Sequence, residues 1–383
     1  MQFKDIVGQR VLINRLTEII DSGRISHAQL LLGQNGYGTL PLALAYAQYL
    51  NCEHRQHFGE GSDLRADSCG ECPSCKKYQQ LAHSDLHFIF PTTTNNKVKK
   101  DPCSDEFQED FRQFVLEKGG YVTLDQWYSY IEVENKQGAI YVRDAKSIID
   151  SLSMKAYESA YKVVIIWMVD LLRTDAANKL LKILEEPSPR TLFLLVGEQQ
   201  ERLLSTIISR TQLLRVGKID DESLLHYLRN ENPQTTGDLV AAAEGNLLNA
   251  KQLVEQGENE KRYAQMFVTW MRQLFKLNMA NLSAWVDEIA GMGREQQKQF
   301  LQYAMGSIRA CYLKSCAGVE QRYNLQFGDE KFNTAFPHMI TPNNIERLDD
   351  IFSEAEHAIG RNAYAKIVFM ELSFRISKAL KKR

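Results

Sequence analysis

No apolar run in this 383-residue chain approaches the ~18 residues that a membrane-spanning helix requires. Neither sign of charge dominates: 46 Lys and Arg against 48 Asp and Glu leave a net charge of −2. That balance excludes a strongly basic nucleic-acid binder as a whole, though not a local basic patch. The amino-terminal stretch MQFKDIVGQRVLINRL is charged from its fourth residue and has no apolar h-region, so a signal peptide is not expected. Seven cysteines, an odd number with four of them clustered, do not form a secreted disulfide framework. They fit a reducing cytoplasm and a metal site.

The most telling absence lies in AQLLLGQNGYGTLPLALAYAQYL (Ala28 to Leu50), which reads as a buried strand, a glycine-rich turn and a helix. A working phosphate loop needs G-x-x-x-x-G-K-[ST] here. Its backbone N–H groups cradle phosphate, its Lys reaches the β/γ-phosphates and its hydroxyl holds Mg²⁺. Gly33, Gly36 and Gly38 keep the turn, but Thr39 stands at the Lys position and Leu40 at the Ser/Thr position. The turn survives; its chemistry does not.

Strands and helices alternate along the first half of the chain. An amphipathic helix (Val11, Leu12, Leu16, Ile19, Ile20) precedes the first strand, and LHFIFP, KVVIIWMV, TLFLLV and TQLLRV supply further strands. In DAANKLLKILEE, Thr174 is the expected N-cap, and Ala177, Leu180, Leu181 and Leu184 make the inner face before Pro187 stops the helix. The segment from about 92 to 138 interrupts the alternation and reads as an insertion, part flexible and part helical. Beyond Lys218 the strands stop. Three short helices follow (220–229, 236–243, 247–256), then a longer helical stretch whose aromatics (Tyr263, Phe267, Trp270, Phe275, Trp285) read as core. One break, FGDEKFNTAFPHMITPNN, interrupts it. The expected organisation is a three-layer α/β domain over 1–217, a helical lid over 218–257 and an all-α domain over 258–383.

Cys52, Cys69, Cys72 and Cys75 give C-x16-C-x2-C-x2-C. Two C-x2-C steps make a knuckle that points thiolates at one centre, and Cys52 can close a tetrahedron. The competing reading is a redox pair or chance clustering. Zinc in an all-cysteine sphere has no open position for water, so a zinc module over 52–75 would be structural. His54 and His57 read as surface histidines, and Cys103, Cys311 and Cys316 carry no metal spacing.

An ATPase of this layout also needs an Asp for Mg²⁺ and a Glu to activate water at the end of the strand beside the phosphate loop. That strand ends IIWMVDLL, with Trp167 and Met168 where the acids belong. Asp170 lies too far along and reads as a loop acid. In AEGNLLNAKQL, Leu248 occupies the place of an Arg that would meet the γ-phosphate. Neither hydrolysis nor Mg²⁺ chemistry is expected in this chain, and backbone amides alone leave only residual nucleotide binding open. One charged group persists: Ser209-Arg210 at a helix end just before the last strand. The residues alone leave two readings, a solvated or helix-capping Arg and an arginine finger serving a neighbour's ATP.

Taken in order, FKDIVGQ (Phe3 to Gln9), RISHAQLLLGQNGYG (Arg24 to Gly38), the four-cysteine segment, TDAANKLLKILEEP (Thr174 to Pro187) and the Ser-Arg pair resemble the bacterial DNA polymerase III clamp-loader delta-prime subunits, of the AAA+ class. The resemblance covers about residues 1 to 255. It implies an AAA+ (RecA-like) domain with a zinc module and lid, and a C-terminal collar-type domain that holds a five-membered ring together. In such rings, motor subunits bind ATP and load the sliding clamp onto primed DNA. A delta-prime subunit sits beside a motor subunit, partners it and the delta subunit, and offers an Arg to that neighbour's site. Arg210 falls on that position, and Thr211 replaces the family's usual Cys after it. The implied setting is the bacterial cytoplasm, at the replisome. Two other readings stand beside it: a zinc-dependent DNA-binding protein on a degenerate scaffold, with KVKK (Lys97 to Lys100) or the tail KALKKR touching phosphate, and a weakly active ATPase with a remodelled site.

Overall fold

The computed structural model describes residues 1–59, 61–133, 136–153, 158–276, 279–315 and 327–381. Cys316 and the last two residues of the basic tail, Lys382 and Arg383, lie outside them. The chain divides into two compact units, Met1–Leu253 and Val254–Arg383.

The first unit is built on helix α1 (Arg10–Asp21), strand β1 (Ala28–Leu32), α2 (Thr39–Leu50), a small hairpin of β2 (Gln56–His57) and β3 (Ala66–Asp67), α3 (Pro73–Gln79) and β4 (Leu86–Ile89). It continues with α4 (Gln108–Glu117), α5 (Leu124–Tyr130), α6 (Val142–Ser153), β5 (Lys162–Trp167), α7 (Thr174–Glu185), β6 (Thr191–Gly197), α8 (Ser205–Ile208) and β7 (Gln212–Arg215). Five strands form one parallel sheet in the order β4-β5-β6-β1-β7. Their continuous apolar sequences are explained by burial on both faces. Because strand side chains alternate, Val163, Ile165, Trp167, Leu192 and Leu194 join one core, whereas Val164, Ile166, Phe193 and Leu195 join another. α1, α2, α4 and α5 cover the first face; α6, α7 and α8 cover the second. This is a three-layer α/β core.

The 92–138 segment holds helices where the sequence reads it as part helical, and its described residues supply a large part of the first core. Phe107, Phe111, Phe114 and Trp127 are fully buried, Phe111 stacks on Phe90 at 3.9 Å, and Trp127 donates its indole N–H to Pro91 O at 2.9 Å. Thr92 and Thr93, at the head of the segment, are also buried, and Thr92 bridges to Ala139. A run of polar residues hid the aromatic spacing that does the packing. Thr174 is not the N-cap: Arg173 occupies that position with no side-chain cap, and Thr174 is the first helical residue.

After β7 come α9 (Asp221–Glu231), α10 (Gly237–Ala242) and α11 (Leu247–Lys276). The third short helix expected here is thus one 30-residue helix, running without a break past the expected boundary at 257/258. Glycine alone, at Gly257, does not stop a helix when nothing else competes for its backbone.

Within the second unit, α12 (Met279–Ala290), α13 (Arg294–Ser315), α14 (Glu330–Ala335), α15 (Pro342–Gly360) and α16 (Ala365–Lys381) surround a single aromatic core. Trp270 stacks on Trp285 at 4.6 Å and donates to Ser373 Oγ at 2.8 Å. Tyr263, Phe267, Trp270 and Trp285 are buried and Phe275 is half-buried. The described part of the sequence break holds α14, capped by Asp329, whose side chain accepts from Phe332 N. No helix among the described residues is long and apolar enough to cross a membrane.

Candidate functional site

Three places predicted from sequence carry chemistry, and the fold treats them differently. The first is the cysteine cluster. Cys72 caps α3, its Sγ accepting from Cys75 N at 3.4 Å, and Pro73 opens the helix where no N–H is needed. Gly70, at φ +74, turns the knuckle in a conformation that side-chain-bearing residues rarely adopt. The Sγ atoms of Cys52, Cys69, Cys72 and Cys75 all lie within 4.8 Å of one another. Cys52 to Cys69 measures 3.6 Å and Cys69 to Cys75 3.8 Å. A tetrahedron with Zn–S bonds of ~2.3 Å has edges of about 3.8 Å, so these four sulfurs fit one such ion. Backbone N–H groups of Cys69, Glu71 and Cys72 point at the sulfurs of Cys52 and Cys69 at 3.3–3.4 Å. The hydrogen bond with Cys75 pulls the Cys52 thiol down to about 5, and the same contact pushes Cys75 up. His54 and His57 are exposed; Cys103 and Cys311 are buried and disulfide-free.

The hairpin below the cysteines is fastened to the start of the chain. Asp67, 2% exposed, accepts from Phe3 N and Lys4 N at 2.9 Å each, and from Ser68 N at 2.7 Å. Gln2 Nε2 donates to Ser68 O at 2.5 Å.

The second place is the glycine turn between β1 and α2. Gly36 (φ +83) and Gly38 (φ +91) keep the left-handed backbone that the turn needs, and Gly38 caps α2 ahead of buried Thr39 and Leu40. A Cβ at Gly33 would meet Val216 O at 2.5 Å. The space above the turn is occupied by the chain itself. A Cβ at Gly36 would collide with the Asn246 side chain; Asn246 Nδ2 donates to Asn35 O at 2.6 Å, and Leu247 N donates to Gly36 O at 3.1 Å. Tyr121, from the 92–138 segment, puts its hydroxyl 3.2 Å from a Cβ at Gly38 and accepts from Val7 N at 3.1 Å. Burial raises this phenol to about 12. Leu248, half-buried, brings no charge to the turn.

The strand ends beside the turn are equally changed. Trp167 is buried and its ring lies 5.5 Å from Phe111, so an apolar stack fills the position where an acid pair would stand. Met168 bends away in a left-handed conformation. Asp170 sits in the following turn, 9% exposed, accepting weakly from Glu198 N at 3.4 Å. Burial raises its carboxyl. Burial first, and then the Asp170 charge, push Glu198 up to about 7, and its buried Oε1 has no hydrogen-bond partner.

The third place is Arg210. Ser209 ends α8, its Oγ donating to Thr206 O at 3.2 Å. Arg210 Nε donates to Glu185 Oε1 at 2.5 Å, Nη2 pairs with the same carboxylate, and Nη1 reaches Thr206 O at 3.0 Å and Ser209 Oγ at 3.3 Å. β1 and β7 are parallel with Leu32 opposite Arg215. Gly33 therefore follows the C-terminal end of the sheet, whereas Arg210 precedes its N-terminal end. The four residues of β7 at ~3.3 Å each put about 13 Å of strand between the two levels, beyond the reach of an arginine side chain. Ser209 and Arg210 are thus brought together with Glu185, and not with Gly33, Gly36, Gly38 and Thr39.

The profile of the family described as "DNA polymerase III, delta subunit" matches residues 8–220, more than half of the chain. The chain belongs to this family. A delta-prime subunit of DNA polymerase III from Bacillus subtilis is 32% identical over 195 residues, 51% of this chain and 43% of its own length. The delta-prime subunit of Haemophilus influenzae is 25% identical over 71% of this chain and 68% of its own. Similarity extends to the tau subunit of Escherichia coli, 27% identical over 66% of this chain. The chain spans about a third of the length of the tau relatives it matches.

Sequence reasoning missed Tyr121, Asn246, Glu185 and Glu198. None has a local signature; each matters because of a partner far along the chain. The one available hint was Gly119-Gly120 immediately before Tyr121, where both glycines take positive φ and a Cβ at Gly120 would crowd Pro41 of α2 at 3.1 Å.

Proposed function

We propose that this chain is a non-hydrolysing, delta-prime-type subunit of a replicative clamp loader. In this reading it partners motor subunits and a delta subunit in a ring that loads the sliding clamp onto primer-template DNA in the bacterial cytoplasm. Residues 218–253 serve as its lid and 254–383 as its collar domain. The four cysteines hold a structural zinc ion that fixes the module to the chain's first residues. The turn at Gly33 to Thr39 runs no ATP chemistry, a reading supported by Trp167, Asn246 and Tyr121 where acids and phosphate would be. Thr39, Leu40 and Leu248, at the places of the Lys, the Ser/Thr and the lid Arg, speak against the weakly active ATPase reading. A zinc-dependent DNA binder gains no support from Lys97, which faces Asp110 at 3.7 Å.

The observation that carries the proposal is the placement of Arg210 at the end of the sheet opposite to its own glycine turn. A guanidinium carried at the far end of the sheet, about 13 Å of strand away from the level of its own loop, can act on a triphosphate only in another subunit. The test is Arg210→Ala in the reconstituted assembly with clamp and primed DNA. To isolate the adjoining site, the phosphate-loop Lys of the other motor subunits is disabled. Turnover at that site is expected to fall by about 10³-fold with the ring intact. Unchanged turnover would reduce Arg210 to a structural residue.

A further inference from the structure

We infer that Glu185 is the positioning residue for Arg210, setting the direction in which the guanidinium is offered to a triphosphate on a neighbouring subunit. The inference rests on the arginine-finger reading above and adds a second residue to it.

Glu185 is the last residue of α7, and Arg210 stands two residues before β7. A side chain of three methylenes ending in a guanidinium, at the end of a four-residue helix, has little of its own to hold it straight; an unrestrained arginine loses about 2 kcal/mol of rotamer entropy when fixed. Here the guanidinium is fixed from two sides. One oxygen of Glu185 takes the Nε and Nη2 edge, and Thr206 O with Ser209 Oγ takes Nη1. The planar fork is therefore locked in rotation as well as in position.

The ion pair is only partly buried, with side-chain exposures of 32% for Arg210 and 48% for Glu185. At that exposure it contributes little to stability, so folding gives no strong reason for this geometry. Orientation does. A group held in place before the substrate arrives does not lose its freedom in the transition state. Neither chain neighbour takes this place: Leu184 is buried and its carbonyl already meets His27 Nε2 at 2.8 Å, and the adjacent carboxylate, Glu186, makes no ion pair with Arg210. Ser209 shares the task from the other side, which gives the Ser-Arg pair a physical reason.

The experiment compares Glu185→Ala, Glu185→Gln and Arg210→Ala in the same single-site assembly, measuring kcat and KM for ATP together with ring formation. Glu185→Ala is expected to lower kcat about tenfold with KM and ring formation unchanged. Glu185→Gln, whose amide oxygen still accepts from Nε, should return to within about threefold of the native chain. A merely structural role would not split kcat from KM or be rescued by the amide. The inference is overturned if Arg210→Ala abolishes turnover while Glu185→Ala leaves it native, or if Glu185→Ala acts on KM alone. Native turnover in Arg210→Ala would instead overturn the finger reading itself, so the two failures are distinguishable.

Discussion

The cysteine cluster and the glycine turn sit in one compact unit and flank the same helix, α2, yet they have diverged in opposite directions. At the cysteines the side chains are complete and the backbone serves them: a knuckle, a capped α3 and N–H groups aimed at sulfur all converge on one point. At the turn the backbone is complete and the side chains are gone. Gly36 and Gly38 persist at positive φ because the connection from β1 to α2 still needs that path, whatever it binds. The backbone path thus has a folding reason of its own, independent of any ligand. The cysteines serve no such path: three of them are buried and Cys69 is half-buried, and they converge on one point.

The comparison is broken most forcefully on the cysteine side. Replacing Cys75 with Ser should abolish stoichiometric zinc in the purified chain. It should also lower the melting of the first unit by about 10 °C, since structural zinc sites contribute folding free energy outright. Calorimetry on the full chain reads both units at once, and the transition of the second unit should not move. If zinc is lost and both transitions stay in place, the module braces nothing, and the Asp67 contacts to Phe3 and Lys4 are self-sufficient.

A smaller effect sharpens the turn side, at the strand ends beside it. Glu198 is raised from 4.5 to about 7 in the fold, so between those two pH values the folded chain holds a proton that the unfolded chain has released. Stability therefore falls as pH rises through this window, and the loss is complete above pH 7. Glu198→Gln should flatten the slope, leaving the share that the raised Asp170 carboxyl contributes at lower pH, and stabilise the first unit by about 1 kcal/mol at pH 8, a value reduced for the partial exposure of the group. Denaturant unfolding at pH 5 and pH 8 checks it; parallel pH dependence in native and variant chains would mean that Glu198 finds water after all.

What could be read from the sequence, and what could not, divides along the same line. The glycine spacing, the missing Lys, the cysteine steps and the continuous apolar strands are local patterns, and each was legible because neighbouring residues carry it. The four-cysteine convergence followed from spacing alone. By contrast, Trp127 and Phe111 lie in a polar stretch and gain meaning only against Phe90 and Trp167. Asn246 meets Asn35 across 211 positions and Arg210 meets Glu185 across 25. The unbroken α11 was hidden for another reason: its sequence offers a glycine as punctuation, and only packing decides whether a glycine is obeyed.

The smallest expected effect tests the comparison most directly, because it asks whether the turn is unfurnished or filled. Thr39→Lys with Leu40→Ser restores the two side chains that a phosphate loop requires. Were the turn merely unfurnished, the backbone at Gly36 and Gly38 would bind a triphosphate again, and calorimetric titration with Mg²⁺-ATP would give a micromolar Kd. The geometry argues otherwise. Asn246 lies against Gly36 and holds Asn35 O, Tyr121 lies against Gly38, and both are tied to backbone rather than free to swing away. Displacing them would leave Asn35 O and Val7 N without the side-chain partners they now have, a cost of about 1–3 kcal/mol for each one left unsatisfied. The restored Lys and Ser are therefore expected to bring no affinity tighter than about 1 mM, where the whole binding free energy is only about −4 kcal/mol. Adding Tyr121→Ala and Asn246→Ala to the same chain should reveal binding if those two side chains are the obstacle. Micromolar affinity from the two restored residues alone would mean that the space above the turn opens freely, and that side-chain loss by itself separates this turn from a working one.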